Sequence, residues 1–268
     1  MSRGTARVRG IEMAYDDTGG DGPAVVLLHG FPFDRSMWRG QSEALGGEFR
    51  VVAPDLRGLG ETPLGGGDVS IAGMAEDVAA LLDELHLERV VLGGLSMGGY
   101  VAFEFFRRFP GRVRALVLAD TRPQGDTEDG RRAREENARR ALTEGMTTIV
   151  DSMLPKLLAA GTRERGGEVL ERVRAMMLGT SPEGAAAALR AMAARRDQTD
   201  LLPSINVPTL IVVGSEDAIT PPADAEAMST KIEGSRLFVV EGAGHLSNVE
   251  RPDEFNLALV EFLRALPA

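Results

Sequence analysis

A chain of 268 residues is long for one ordinary domain and short for two, a length that suits one sheet domain carrying an insertion. With 43% hydrophobic and 26% charged residues it has the balance of a globular protein, far from disordered, collagen-like or membrane-spanning chains. The net charge of −10 disfavours nucleic acid and anionic membranes as partners, and the absence of cysteine excludes disulfides, a thiolate nucleophile and a Cys-ligated metal.

Residues 1–10 hold three arginines and no apolar run of the kind a secretory signal needs, and no later stretch approaches the ~20 apolar residues that span a bilayer. A cytoplasmic location is therefore expected. Ala6 to Tyr15 reads as an antiparallel edge hairpin, followed by a turn-like stretch from Asp16 to Pro23. Val25–Leu28, Val51–Ala53, Val90–Leu92, Val113–Leu118, Leu210–Val213 and Leu237–Val240 are short apolar runs with little polar alternation, as in strands buried on both faces of a mostly parallel sheet. Between them, Met74–Leu85, Met97–Phe109 and Asn248–Leu266 carry apolar residues at helical spacing. The only glycine run, Gly65 to Gly67, reads as a flexible loop.

For about ninety residues after Ala119 the strand signal vanishes, and helical patterns take over until Thr209. The segment 122–200 is also near charge balance, whereas the rest of the chain carries the acidic excess, so it is expected to be a helical insertion between two parts of a core, 1–121 and 201–268. Ile149, Val150, Met153, Leu154, Leu157 and Leu158 make one apolar stripe in it, and Val169, Leu170, Val173, Met176 and Met177 another. Arg131 to Arg140 is charged enough to be a solvated helix. Five of the 11 methionines, at 146, 153, 176, 177 and 192, fall in the insertion, either packing it against the body or shaping an adaptable pocket.

Gly94-Leu95-Ser96-Met97-Gly98 sits directly after one apolar run and directly before a helix, the context of a nucleophile elbow in which small flanking residues permit a very tight turn. A serine hydroxyl needs an adjacent base. Of the three histidines, His86 ends a helix on the far side of the sheet and His29 ends the Val25 strand, where it is expected to brace its loop. His245, in Gly242-Ala243-Gly244-His245 after the last strand, lies at the carboxyl edge, where open sheets build their sites. The carboxylate that orients it is best assigned to Asp217, past the Leu210 strand, ahead of Glu216 and of Asp120. The chain order serine, acid, histidine fits.

Two backbone amides are expected to receive negative charge on an attacked carbonyl oxygen: that of Met97, at a helix start, and that of Phe31 in His29-Gly30-Phe31-Pro32. Pro32 has no N–H to offer. Phe31, Met97 and Trp38 are candidate pocket walls, and Trp38 and His29 are taken as residues bordering the substrate.

These motifs, together with Pro54-Asp55-Leu56-Arg57-Gly58-Leu59-Gly60, occur in an order that resembles the α/β-hydrolase superfamily throughout the chain. Within it, Gly93 to Tyr100 resembles bacterial carboxylesterases and enol-lactone hydrolases. The resemblance implies eight strands, a helical lid over the serine after the sixth strand, and hydrolysis of a small-molecule ester through an acyl-enzyme, with no metal or organic cofactor. Thr62 departs slightly from relatives with serine there, which touches loop structure only. A serine at the elbow sets the chain apart from the dehalogenase and epoxide hydrolase branches, which use aspartate. The alternatives it implies are an enol-lactone or carbon–carbon bond hydrolase, and a perhydrolase side activity suggested by Pro32 with Trp38.

Overall fold

The computed structural model describes residues 1–66 and 69–267, so Gly67 of the predicted glycine loop lies outside the described residues. Eight strands form one sheet in the order β1-β2-β4-β3-β5-β6-β7-β8: β1 Ser2–Val8, β2 Ile11–Asp17, β3 Ala24–Leu28, β4 Arg50–Pro54, β5 Val90–Leu95, β6 Val113–Ala119, β7 Thr209–Gly214 and β8 Arg236–Val240. From β4 to β8 every pairing is parallel, while β1 and β2 make the expected edge hairpin. Its turn places Arg9 and Gly10 at φ 41° and 84°, the left-handed pair that matches the twist of two joined strands. Arginine rather than Asn at the first of these positions hides the turn from sequence rules.

The eleven helices among the described residues are α1 Arg39–Leu45, α2 Ile71–Glu84, α3 Met97–Arg108, α4 Glu128–Glu144, α5 Met146–Leu157, α6 Ala160–Arg165, α7 Glu168–Gly179, α8 Pro182–Ala193, α9 Pro222–Lys231, α10 Ser247–Glu250 and α11 Pro252–Arg264. None is long and apolar enough to cross a membrane. The last predicted helix is two: Pro252 cannot continue the hydrogen-bond ladder of a preceding helix, and Arg251 takes the extended φ of −134° that a residue before proline prefers.

Alternate residues of the central strands feed two cores. Val26, Leu28, Leu92 and Leu118 pack on one face with α2, α3 and α9, and Val25, Leu27, Val91 and Val117 on the other with α11. This two-sided burial is the reason the strands read as unbroken apolar runs. Helices α4 to α8 all fall in the interval between β6 and β7. In α4 only Ala138 and Ala141 are buried, in keeping with its arginine-rich sequence. Of the five methionines in this interval, 146, 176, 177 and 192 are buried in the cores and Met153 packs against them, so they seal the insertion to the body.

Candidate active site

The site begins with a turn too tight for any larger sequence. Ser96 follows β5 and precedes α3 with φ 53° and ψ −111°, a conformation that costs an ordinary residue free energy and that the surrounding bonds enforce. Its N–H donates to Ala119 O at 3.0 Å, and its carbonyl accepts from Gly99 N at 2.9 Å and from Thr121 Oγ1 at 2.8 Å. A Cβ on Gly94 would lie 2.2 Å from Gly98 O, and one on Gly98 would lie 2.2 Å from Leu28 O. Glycine is thus required on both sides of the serine, so that α3 can start against β3.

Three elements distant in sequence meet the half-buried hydroxyl. His245, on the loop after β8, has its Nε2 2.8 Å from Ser96 Oγ, and its Nδ1 lies 2.8 Å from Asp217 Oδ2, past the end of β7. The predicted serine, histidine and acid are therefore joined in one hydrogen-bonded chain. Asp217 is itself fixed: Oδ1 accepts the N–H groups of Ile219 and Thr220 at 2.8 and 3.0 Å, and Oδ2 accepts Thr220 Oγ1 at 2.7 Å. This local turn, an aspartate whose carboxylate caps the backbone two and three residues on, has its sequence signal in Asp217-Ala218-Ile219-Thr220, and it adds Thr220 to the residues expected at the site.

The two competing carboxylates lie elsewhere. Glu216 is exposed, and its Oε2 accepts from Ala160 N. Asp120 is fully buried beneath the site; its Oδ1 accepts Gly214 N at 2.9 Å, and its Oδ2 accepts Ser247 N at 3.3 Å and Ser247 Oγ at 2.5 Å. It thereby links the end of β7 to the segment just after His245. Burial, reinforced by the nearby charge of Asp217, pushes the Asp120 carboxyl up to about 8, so this group is mainly protonated at neutral pH. Asp217 shifts the other way: burial opposes its charge, but His245 and the bonds from Thr220 outweigh that and hold it below the ordinary carboxylate range.

His245 is buried, which disfavours its charged form, yet the Asp217 carboxylate and its hydrogen bond prevail. Its pKa stands above the ordinary 6.5. A base must be neutral to accept a proton, so activity is lost as pH falls through this raised value and is fully present above it. The profile of kcat/KM against pH for a short ester is expected to be half-maximal on its acid side above 6.5. A midpoint at or below the ordinary histidine value would contradict the assignment.

Both amides predicted to receive negative charge are without an acceptor among the described residues. Met97 is the first residue of α3, where no intrahelical acceptor exists for its N–H, and the Phe31 N–H likewise has no acceptor among the described residues. The loop bearing Phe31 runs against the elbow: a Cβ on Gly30 would sit 3.3 Å from Leu95 O and 3.4 Å from Ser96 Cβ. Thr180, between α7 and α8, steadies that loop by donating to Pro32 O at 2.7 Å.

Two expected pocket residues fall outside the cleft. His29 is fully buried, with Nδ1 2.9 Å from Gly30 O and Nε2 accepting Leu56 N at 2.9 Å. Both ring nitrogens are used by the backbone, so it braces the loop and does not border substrate. Trp38 is also fully buried, with the centre of its indole 6.0 Å from that of the Phe255 ring in α11. It belongs to the second core and not to a pocket wall. His86 is exposed after α2, as its position suggested. Among the described residues no group of three or more His, Asp or Glu side chains is arranged to hold a metal.

A family model described as alpha/beta hydrolase fold matches residues 23–252. The chain is 30% identical to 3-oxoadipate enol-lactonase 1 of Acinetobacter baylyi over 91% of its own length and 90% of that protein's. Among solved structures, a thermophilic esterase from Thermogutta terrifontis, determined with malate bound, superposes with a TM-score of 0.96 at 44% identity over all of both chains. The enol-lactonase of Burkholderia xenovorans superposes with a TM-score of 0.91 at 33% identity, covering 97% of this chain and 100% of that one.

Proposed function

Because this chain belongs to the α/β-hydrolase family, we propose that it is a serine hydrolase of small carboxylic esters, working through an acyl-enzyme on Ser96. The unbroken hydrogen-bonded chain from Ser96 through His245 to Asp217 carries this reading. Asp217 keeps the imidazole proton on Nδ1, so Nε2 is free to accept the hydroxyl proton as Ser96 Oγ attacks the ester carbonyl carbon. The amides of Phe31 and Met97 receive the charge that gathers on the carbonyl oxygen. Collapse of the tetrahedral adduct expels the alcohol, protonated by His245. Water, deprotonated by the same imidazole, then attacks the acyl-enzyme, and the acid departs.

Helices α4 to α8 serve in this reading as a cap over the serine. Ser96 keeps only partial exposure and Phe31, Met97 and His245 are buried, which favours a small acyl group in this reading. With a series of nitrophenyl esters, kcat/KM is expected to be greatest for acetate to butyrate and to drop about tenfold or more by octanoate, since added methylenes lose their fit once a pocket is full. A flat or rising profile would reject the small-pocket assignment.

The likeness to two enol-lactonases favours one second reading. A lactone is a cyclic ester, and the same residues would open it, with the alcohol retained on the product. Comparing an enol-lactone with the preferred nitrophenyl ester decides between them: a kcat/KM at least about tenfold higher on the lactone would make ring opening the native reaction.

A further inference from the structure

We infer that Glu250 is a positioning residue of this site, its carboxylate joining the loop that carries His245 to the start of α6 in the cap, so that the imidazole is aligned on Ser96 while the cap is seated. The inference rests on the hydrolase reading above and extends it to a residue that touches neither substrate nor the reacting atoms.

Glu250 ends α10 and is only 8% exposed, with no cation paired to it among the described residues. A buried carboxylate without a counter-charge is costly unless hydrogen bonds satisfy it. Here each oxygen takes a different backbone donor. Oε1 accepts Gly244 N, the residue before His245, at 2.7 Å, and Oε2 accepts Ala159 N, at the N-terminus of α6, at 3.0 Å. The carboxylate is thus a two-pronged acceptor spanning two segments 85 positions apart.

Three further contacts fall on the same seam. His245 N donates to Leu157 O at 2.9 Å, and Glu216 Oε2 accepts Ala160 N at 3.2 Å. A Cβ on Gly244 would lie 2.6 Å from Ala159 N and 2.8 Å from Leu158 C, so the two backbones approach closer than any side chain would allow. Residues 157–160 of the cap are therefore tied to the peptide that presents the imidazole directly, through His245 N, and indirectly, through the Glu250 carboxylate that also holds Gly244 N. A cap that lifted would break the three bonds made by Leu157, Ala159 and Ala160 and leave the loop between β8 and α10 held by fewer partners.

Two variants, assayed on a short nitrophenyl ester, test this without altering the catalytic side chains. Glu250→Gln keeps size and one oxygen but turns a donor toward one of the two N–H groups. Ala159→Pro deletes the cap-side donor and, with its ring Cδ in place of that N–H, displaces Oε2 without altering the Glu250 side chain itself; Ala159 has φ −55°, and Leu158 before it is extended at φ −114° and ψ 144°, both compatible with proline. Each variant is expected to lower kcat by about 10- to 100-fold with KM changed less than about threefold, the size of effect that a small misplacement of a base produces. Amide exchange in peptides spanning 157–162 and 242–246 should accelerate at least about tenfold, while global stability holds. The double variant should lose less than the product of the two single losses, because both break one coupling.

A kcat within about fivefold of wild type for Ala159→Pro, or single losses that multiply, overturns the inference. Should Glu250→Gln fail to fold, the proline variant decides alone. Failure of the hydrolase reading would look different: wild-type protein would show no Ser96-dependent turnover, and the exchange measurement by itself would then judge whether Glu250 clamps the seam.

Discussion

Ser96→Ala is expected to lower hydrolysis of a short-chain nitrophenyl ester by about 10⁴-fold or more while the protein remains folded. The change removes a single oxygen, and every bond that fixes the elbow is made by the backbone or by a neighbour: Ser96 N to Ala119 O, and Ser96 O from Gly99 N, Tyr100 N and Thr121 Oγ1. Alanine meets the positive φ of the turn with the same Cβ that serine carries, so no new strain arises. His245 loses one partner but keeps Asp217, 2.8 Å from Nδ1, and should stay in place. The residual rate would come from the amides of Phe31 and Met97 acting on bound ester with water as nucleophile. Turnover together with a thermal melt checks this, and an alanine variant retaining more than about a hundredth of the wild-type rate would remove Ser96 from the mechanism.

The elements that were readable in the sequence share one property: their signal is local. Val25–Leu28 and Leu210–Val213 announce buried strands by composition, and Gly94 to Gly98 announces the elbow because each glycine answers a clash within a few residues of chain or with the strand beside it. β5 runs on through Gly93, Gly94 and Leu95, beyond the predicted Val90–Leu92, since glycine gives no apolar signal even where neighbouring strands demand it. The split at Pro252 was visible but was overridden by an apolar pattern continuing on either side. α8, rich in alanine, carries little periodic signal, because alanine marks helix propensity more than amphipathic period.

What stayed hidden depends on partners far away in the chain. Trp38 looked like a pocket wall because its turn adjoins the Phe31 loop, yet Phe255, more than two hundred residues on, draws the indole into the core. The bracing role of His29 is legible from its place at the end of β3, but its partner Leu56 N, 2.9 Å away, is not, and that bond is what removes the ring from the substrate border. Asp120 and Glu250 sit in ordinary sequence, and only the convergence of β6, β7, the His245 loop and the cap makes their buried carboxyls intelligible.

Asp217→Asn should cost about 10³- to 10⁴-fold in kcat/KM at neutral pH, nearly as much as loss of the serine, although it changes neither size nor shape. Oδ1 of Asp217 receives two backbone N–H groups, from Ile219 and Thr220, and an asparagine must keep its oxygen there. Its amide nitrogen is then forced into the Oδ2 position, 2.8 Å from His245 Nδ1, where it can only donate. The imidazole answers by carrying its proton on Nε2, and the atom that should accept from Ser96 Oγ becomes a donor to it. Thr220 Oγ1, 3.3 Å from Nδ1, supplies no charge to replace the carboxylate. Asp120 does not take over either, since its carboxyl oxygens are committed to Gly214 and Ser247. The Ser96→Ala/Asp217→Asn double variant should be no slower than Ser96→Ala alone, because the acid acts only through the histidine that serves the serine. An Asp217→Asn enzyme within about tenfold of wild type would mean that another group sets the tautomer of His245, and a further loss in the double variant would mean that Asp217 acts by a second route.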